Sequence, residues 1–126
     1  MKPNLNNPIH TNVQFVVTKA TSNPNGFLLP HILFDRIKTV ATYPVKEFYL
    51  HESPQVTDYK FKMHKNAFLN DHLTIQAQLI QKHPEKLMVS VIVTKSKKAS
   101  KTEETISSAW FDFPYVESNT QQDLAS

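Results

Sequence analysis

The stretch Asn23-Pro24-Asn25-Gly26-Phe27-Leu28-Leu29-Pro30-His31-Ile32-Leu33-Phe34-Asp35-Arg36-Ile37-Lys38-Thr39-Val40-Ala41-Thr42 decides the fold. It opens on dense turn chemistry, continued back through Thr21 and Ser22. Gly26 is the one glycine in the chain, so it marks where the backbone most needs positive φ or a close approach. From Leu28 to Thr42 the apolar residues change period. Leu29, Leu33, Ile37 and Val40 recur at helical spacing, and Leu28, Ile32 and Ala41 widen the stripe. Pro30 is tolerable only in the first turn, where its missing N–H is an orphan anyway, so the helix starts near Leu28 or Leu29. Pro44 ends it soon after Thr42. Asp35, Lys38 and Thr39 lie off the main stripe. A helix apolar over so much of its circumference is expected to be largely enclosed.

Outward from the helix, the pattern switches to a period of two. Val13 to Thr18 reads as a strand before it, and Val45 to Leu50 as an extended or irregular segment after it. Four alternating runs follow. Thr57 to Met63 sets Tyr59, Phe61 and Met63 against Asp58, Lys60 and Lys62. Leu73 to Leu79 and Leu87 to Val93 each put every second residue, all apolar, on one face. Thr105 to Phe113 puts Ala109, Phe111 and Phe113 on one face, with Ile106 and Trp110 on the other. Such alternation means half-buried antiparallel strands joined by short connections. One helix and about five antiparallel strands make an α+β domain in which the sheet curls around the helix. The 126 residues suffice for a single such domain, with polar ends at residues 1–12 and 117–126 expected to be flexible. The sheet has edges to cover, which predicts a homodimer or a dimer of dimers, with Ile106 and Trp110 as candidates for burial there.

Composition narrows the chemistry. Without cysteine there is no disulfide, no thiolate nucleophile and no cysteine zinc site. With a single glycine there is no phosphate-binding glycine loop, which excludes the nucleotide-dependent classes built on one. The N-terminus carries no secretory signal and no run spans a bilayer, so a cytoplasmic protein without membrane insertion is expected. The net charge is +3, and the basic residues form no stripe interleaved with exposed aromatics, so nucleic acid is not an expected partner. Lys95, Lys97, Lys98 and Lys101 cluster between the last two strands, as a solvated hairpin tip or as a contact to phosphate. His64 and His72 match no metal-ligand spacing, and no metal is expected.

Two stretches resemble the hotdog-fold acyl-thioester family, which includes acyl-CoA thioesterases and hydroxyacyl-carrier dehydratases. The first is Asn23-Pro24-Asn25-Gly26 leading into Leu28 to Ala41, similar to the Asn-x-x-Gly or Asn-Gly turn that enters the thioesterase helix. The second runs from Tyr59-Lys60-Phe61-Lys62-Met63 through Asn66-Ala67-Phe68-Leu69-Asn70-Asp71-His72-Leu73-Thr74-Ile75. There Asn66 replaces the usual proline, Asn70 the usual glycine, and Asp71 matches the aspartate. Ala109-Trp110-Phe111-Asp112-Phe113 is similar to the closing strand, so the likeness covers about Val13 to Val116. It implies a hotdog fold, an antiparallel sheet wrapped around one central helix. It also implies an acyl-CoA or acyl-carrier-protein thioester as partner, with coenzyme A or phosphopantetheine as part of the substrate and no resident cofactor. The chain departs from the family by carrying Leu28, Leu29, Pro30 and His31 where loop glycines usually stand. The dehydratase branch fits worse, because Ser22 to Gly26 lacks its histidine loop.

Thioester hydrolysis needs a donor for the developing oxyanion and a group that handles water. The backbone N–H groups from Gly26 to Leu29, at a helix N-terminus, are candidates for the donor. The resemblance implies a base or nucleophile near Asp35. His31, four residues earlier, shares its face, and Asn25 is placed to orient water or the carbonyl. Each has a structural alternative: a salt bridge with Arg36 or Lys38 or a solvent-facing position for Asp35, a cap or surface residue for His31, and a turn residue for Asn25. Leu28, Phe34 and Phe61 suit an acyl-binding tunnel between subunits, Gly26 the approach to the thioester, and Lys97 and Lys98 the phosphates of the coenzyme. Two readings therefore stand: a thioesterase, or a catalytically degenerate module that binds an acyl chain or a protein partner.

Overall fold

In a computed structural model of the protein, residues 10–49, 53–97 and 102–115 are described. The order is β1 (His10–Val16), α1 (Pro30–Ala41), β2 (Asp58–Met63), β3 (His72–Lys82), β4 (Lys86–Lys97) and β5 (Thr102–Pro114). The five strands form one antiparallel sheet in the order β1-β3-β4-β5-β2, so β1 and β2 are its edges. The helix packs on the central strands β3 and β4. This is the α+β architecture expected from the helical stripe followed by four alternating runs, and it fits the hotdog fold that the resemblance implies.

The strands form where alternation demands it. Leu73, Ile75, Ala77 and Leu79 of β3, and Leu87, Val89, Val91 and Val93 of β4, are all buried on the helix side. From the helix, Leu33, Ile37, Val40 and Ala41 are buried against them. Only that face is enclosed: Asp35, Arg36, Lys38 and Thr39 are exposed, so the helix is less wrapped than its wide apolar stripe suggested. Leu29 is the N-cap and Pro30 the first helical residue, where a proline costs no hydrogen bond.

Three further expectations are corrected. β1 begins at His10, three residues before the predicted start, so residues 10–12 belong to the sheet rather than to a flexible end; they pair with Gln76, Ala77 and Gln78. The segment after the helix is not extended but a 3₁₀ helix, Tyr43–Phe48, started by Pro44 and burying Val45. Ile106 is not on an outer face. The β4–β5 register shifts between Val93 and Thr94, and the extra residue turns both Ile106 and Ser107 inward. Its burial is met by its own core and says nothing about a partner; Trp110 is half-buried. No helix among the described residues is long and apolar enough to cross a membrane.

Candidate functional site

The turn before the helix is built by Asn23. Its side-chain Oδ1 accepts the N–H groups of Asn25 (2.9 Å) and Phe27 (3.0 Å), while its carbonyl accepts Gly26 N–H (2.9 Å). Gly26 sits at φ +84°, as expected for the lone glycine. The turn is pinned to the loop before β3: Leu28 N donates to Ala67 O (2.8 Å), Leu69 N to Gly26 O (2.8 Å), and the Phe27 and Phe68 rings pack 5.0 Å apart.

These bonds bear on the oxyanion donors. The N–H of Gly26 goes to Asn23, that of Phe27 to the Asn23 side chain, that of Leu28 to Ala67 and that of Leu29 to Thr21. None of the four is left for a ligand. Pro30 has no N–H, and Ile32 and Leu33 both donate to Leu29 O. The His31 N–H is therefore the first-turn donor that remains without a partner among the described residues.

The candidate side chains fall on two flanks of the helix. Asp35 is exposed and lines a groove of about 320 Å³ with Val13, Ile32, Arg36, Thr39, Val40 and Tyr43, on the β1 side. Arg36 lies over the Phe15 ring of β1 on that same side. His31 is exposed too, and the expected His31–Asp35 pair makes no hydrogen bond or ion pair among the described residues. Phe34 projects the other way, toward β2 and β5. Its ring lies 5.0 Å from Tyr59, 5.4 Å from Phe61 and 6.0 Å from Phe111. These four rings form an aromatic wall between the helix and the edge strand β2, and Tyr59 is still 53% exposed at its outer end. Leu28 is buried in the core, and Asn25 is exposed with its backbone held by Asn23. The fold thus groups Phe34 with Phe61 and separates them from Asp35.

Other candidates have structural work. Asp71 Oδ2 accepts Phe68 N–H (2.8 Å) and its Oδ1 pairs with Lys95 Nζ (2.9 Å), so Lys95 is taken. Lys97 ends β4, and Lys98 lies outside the described residues. His64 Nε2 bonds Ser108 Oγ at 2.7 Å. Two residues escaped the sequence reading. Tyr59 was placed on the right face but not in the site; its aromatic neighbours come from α1 and β5, which no local pattern reveals. Lys19 rims a groove of about 370 Å³ along the turn, with Asn23, Pro24, Gly26 and Leu69.

No protein-family model and no curated protein matches the sequence. Solved structures do match. An acyl-CoA hydrolase from Staphylococcus aureus, in complex with butyryl coenzyme A, coenzyme A and coenzyme A disulfide, superposes with a TM-score of 0.76 at 11% identity, over 87% of this chain and 67% of that one. The same hydrolase has been solved with alanine in place of a threonine, an aspartate or an asparagine. A hexameric acyl-CoA thioesterase gives 0.75 at 12% identity, over 90% and 74%. The Streptococcus mutans protein smu.793, bound to acetyl-CoA, gives 0.72 at 18%, over 86% and 83%. The likeness establishes the fold: this chain is a hotdog domain whose structural neighbours are acyl-CoA thioesterases.

Proposed function

We propose that this protein binds acyl thioesters, with the acyl group on the aromatic wall beside α1, and that it does so as a homodimer joined along β2. The observation that carries the reading is the wall itself. Phe34, Phe61 and the half-exposed Tyr59 offer an apolar strip beside the helix of a fold whose neighbours include proteins solved with butyryl-CoA and acetyl-CoA. The groove along the Asn23–Gly26 turn, with Lys19 at its rim, suits the coenzyme end, where a lysine meets phosphate as a point charge.

Binding is favoured over hydrolysis for two reasons. The backbone donors of the turn are consumed by Asn23, Ala67 and Thr21, so an oxyanion would find only the His31 N–H. Asp35 stands on the other flank from the wall, with no histidine partner among the described residues. Hydrolysis, by water activated at Asp35 with His31 and Asn25 beside it, is the second reading; the solvent-facing side chains of all three leave them accessible to a substrate.

Calorimetric titration with butyryl-CoA, dodecanoyl-CoA and coenzyme A tests the first reading, with a thiol-release assay run alongside. The acyl-CoAs should bind more tightly than coenzyme A. Phe34→Ala should weaken them about tenfold or more while leaving coenzyme A unchanged, since loss of one packed ring removes roughly 1.4 kcal/mol or more of burial. Thiol release should stay at the blank rate. Steady release that Asp35→Asn abolishes would establish the hydrolase instead.

A further inference from the structure

We propose that the groove between α1 and β1 binds a small zwitterion, an α-amino acid with a branched aliphatic side chain. The site lies on the opposite flank of the helix from the aromatic wall and does not rest on the acyl-thioester reading.

The groove follows from the fold. β1 is an edge of the sheet, so the curl ends there and leaves one flank of α1 uncovered. Ile32, Asp35, Arg36, Thr39 and Val40 recur at spacings of three and four residues, which puts them on that flank. Val13 of β1 and Tyr43 of the 3₁₀ segment complete the lining of a groove of about 320 Å³. Its apolar surface is aliphatic: Val40 is buried, and Val13 and Ile32 are half-buried.

Two opposite charges border this surface without neutralising each other. Asp35 and Arg36 both line the groove, yet neither side chain makes a hydrogen bond or an ion pair among the described residues. Lys38, one turn after Asp35, does not pair with it, and neither does Lys46, which lies over the Tyr43 ring. Arg36 is nonetheless held in place. Its guanidinium lies 5.5 Å from the centroid of the Phe15 ring, and that ring is buried. The cation is thus positioned by stacking, with its N–H donors unused.

The chemistry that answers such a surface carries both charges on one small apolar body. An ammonium donates three N–H bonds and suits the Asp35 carboxylate. A carboxylate accepts two parallel bonds from the Arg36 guanidinium. An α-amino acid bears both groups on a single carbon, and a branched aliphatic side chain on that carbon covers Val13, Ile32 and Val40. A plain amine or a plain acid answers one charge and forgoes the other, at the edge of an apolar surface where pairing is stronger than in bulk water.

The test is an NMR titration of the isotope-labelled whole chain with leucine, glycine, isoamylamine and isocaproate. Isoamylamine is leucine without its carboxylate, and isocaproate is leucine without its ammonium. Leucine should bind about tenfold or more tightly than each of the other three, with its advantage over the two singly charged analogues shrinking as salt is raised. The amide shifts should centre on Val13, Ile32 to Val40 and Tyr43. Asp35→Asn should lower leucine to the affinity of isocaproate. Arg36→Met, which keeps a stem over Phe15, should lower it to that of isoamylamine. Thermal melting checks that both variants are folded, and the ligand series on the parent decides if either is not. Equal affinity of the parent for leucine and its two singly charged analogues would overturn the proposal. So would the absence of shifts up to the solubility of leucine, or shifts centred on Phe34 and Phe61 instead. Each of those outcomes leaves the acyl-thioester reading where it stands.

Discussion

At the residue scale the turn Phe68–Asp71 shows how a loosely matched motif is fixed by backbone geometry. Asn70 has φ 74°, the one non-glycine residue with positive φ among those described. Asparagine tolerates that region better than most residues, which is why it can stand where glycine is usual. Asp71 then closes the turn through Phe68 N–H and ties it to β4 through Lys95. Asp71→Ala should cost about 1–2 kcal/mol, most of it from the lost bond to the turn N–H, because the ion pair is partly exposed and screened. Asn70→Ala should cost about 1 kcal/mol and Asn70→Gly almost nothing. Urea unfolding of the three variants measures this. The turn role of Asp71 was legible because Phe68, whose N–H it accepts, is its neighbour in sequence; its pairing with Lys95 was not. That of Asp35 was not. The i, i+4 spacing from His31 puts the two on one face, but spacing cannot say whether the face meets the aromatic wall or the β1 groove.

At the element scale the helix was legible because its period, its opening proline and its closing proline agree. What the pattern overstated was enclosure. Ile32 and Phe34 are apolar but only half-buried, because each lies on a flank of the helix rather than against the central strands. The anchoring residue is Ile37, fully buried on the face toward the sheet. Ile37→Ala should destabilise the fold by about 2–5 kcal/mol, the transfer loss plus the cavity left in a packed core. The exposed Thr39→Ala should change stability by under about 0.5 kcal/mol. Guanidinium midpoints at unchanged slope would check both; a small loss for Ile37→Ala would mean that the helix is not the centre of the core. The 3₁₀ segment after it escaped the sequence reading because Val45, Phe48 and Tyr49 fit a short strand equally well, and only the packing of Val45 under the sheet decides.

At the scale of the whole molecule, strand order was beyond the sequence pattern. Alternation identifies each strand and its buried face, yet β2 pairs with the last strand and β1 with the third, and neither choice is local. That order leaves β2 as an edge, with the Tyr59 ring half in water and the Tyr59 N–H capped by Asp58 Oδ1 (2.9 Å). Two copies pairing β2 with β2 across a two-fold axis would make one continuous sheet and bring the two aromatic walls to the seam. The charges choose the register. An axis through Phe61 opposes Lys60 to Lys62, and one through Lys60 opposes that lysine to itself. An axis through Tyr59 sets Asp58 opposite the partner's Lys60 twice and stacks the two tyrosines, so of these three registers it alone avoids like charges. Lys60→Asp should therefore weaken the dimer about 5- to 30-fold, through two lost pairs and two new repulsions summing to roughly 1–2 kcal/mol. Adding Asp58→Lys should restore it by exchanging the charges. Sedimentation equilibrium at low ionic strength, where such edge pairs are least screened, reads both. A parent chain that is monomeric at micromolar concentration would remove the β2 dimer, and a double variant as weak as Lys60→Asp would remove the register through Tyr59.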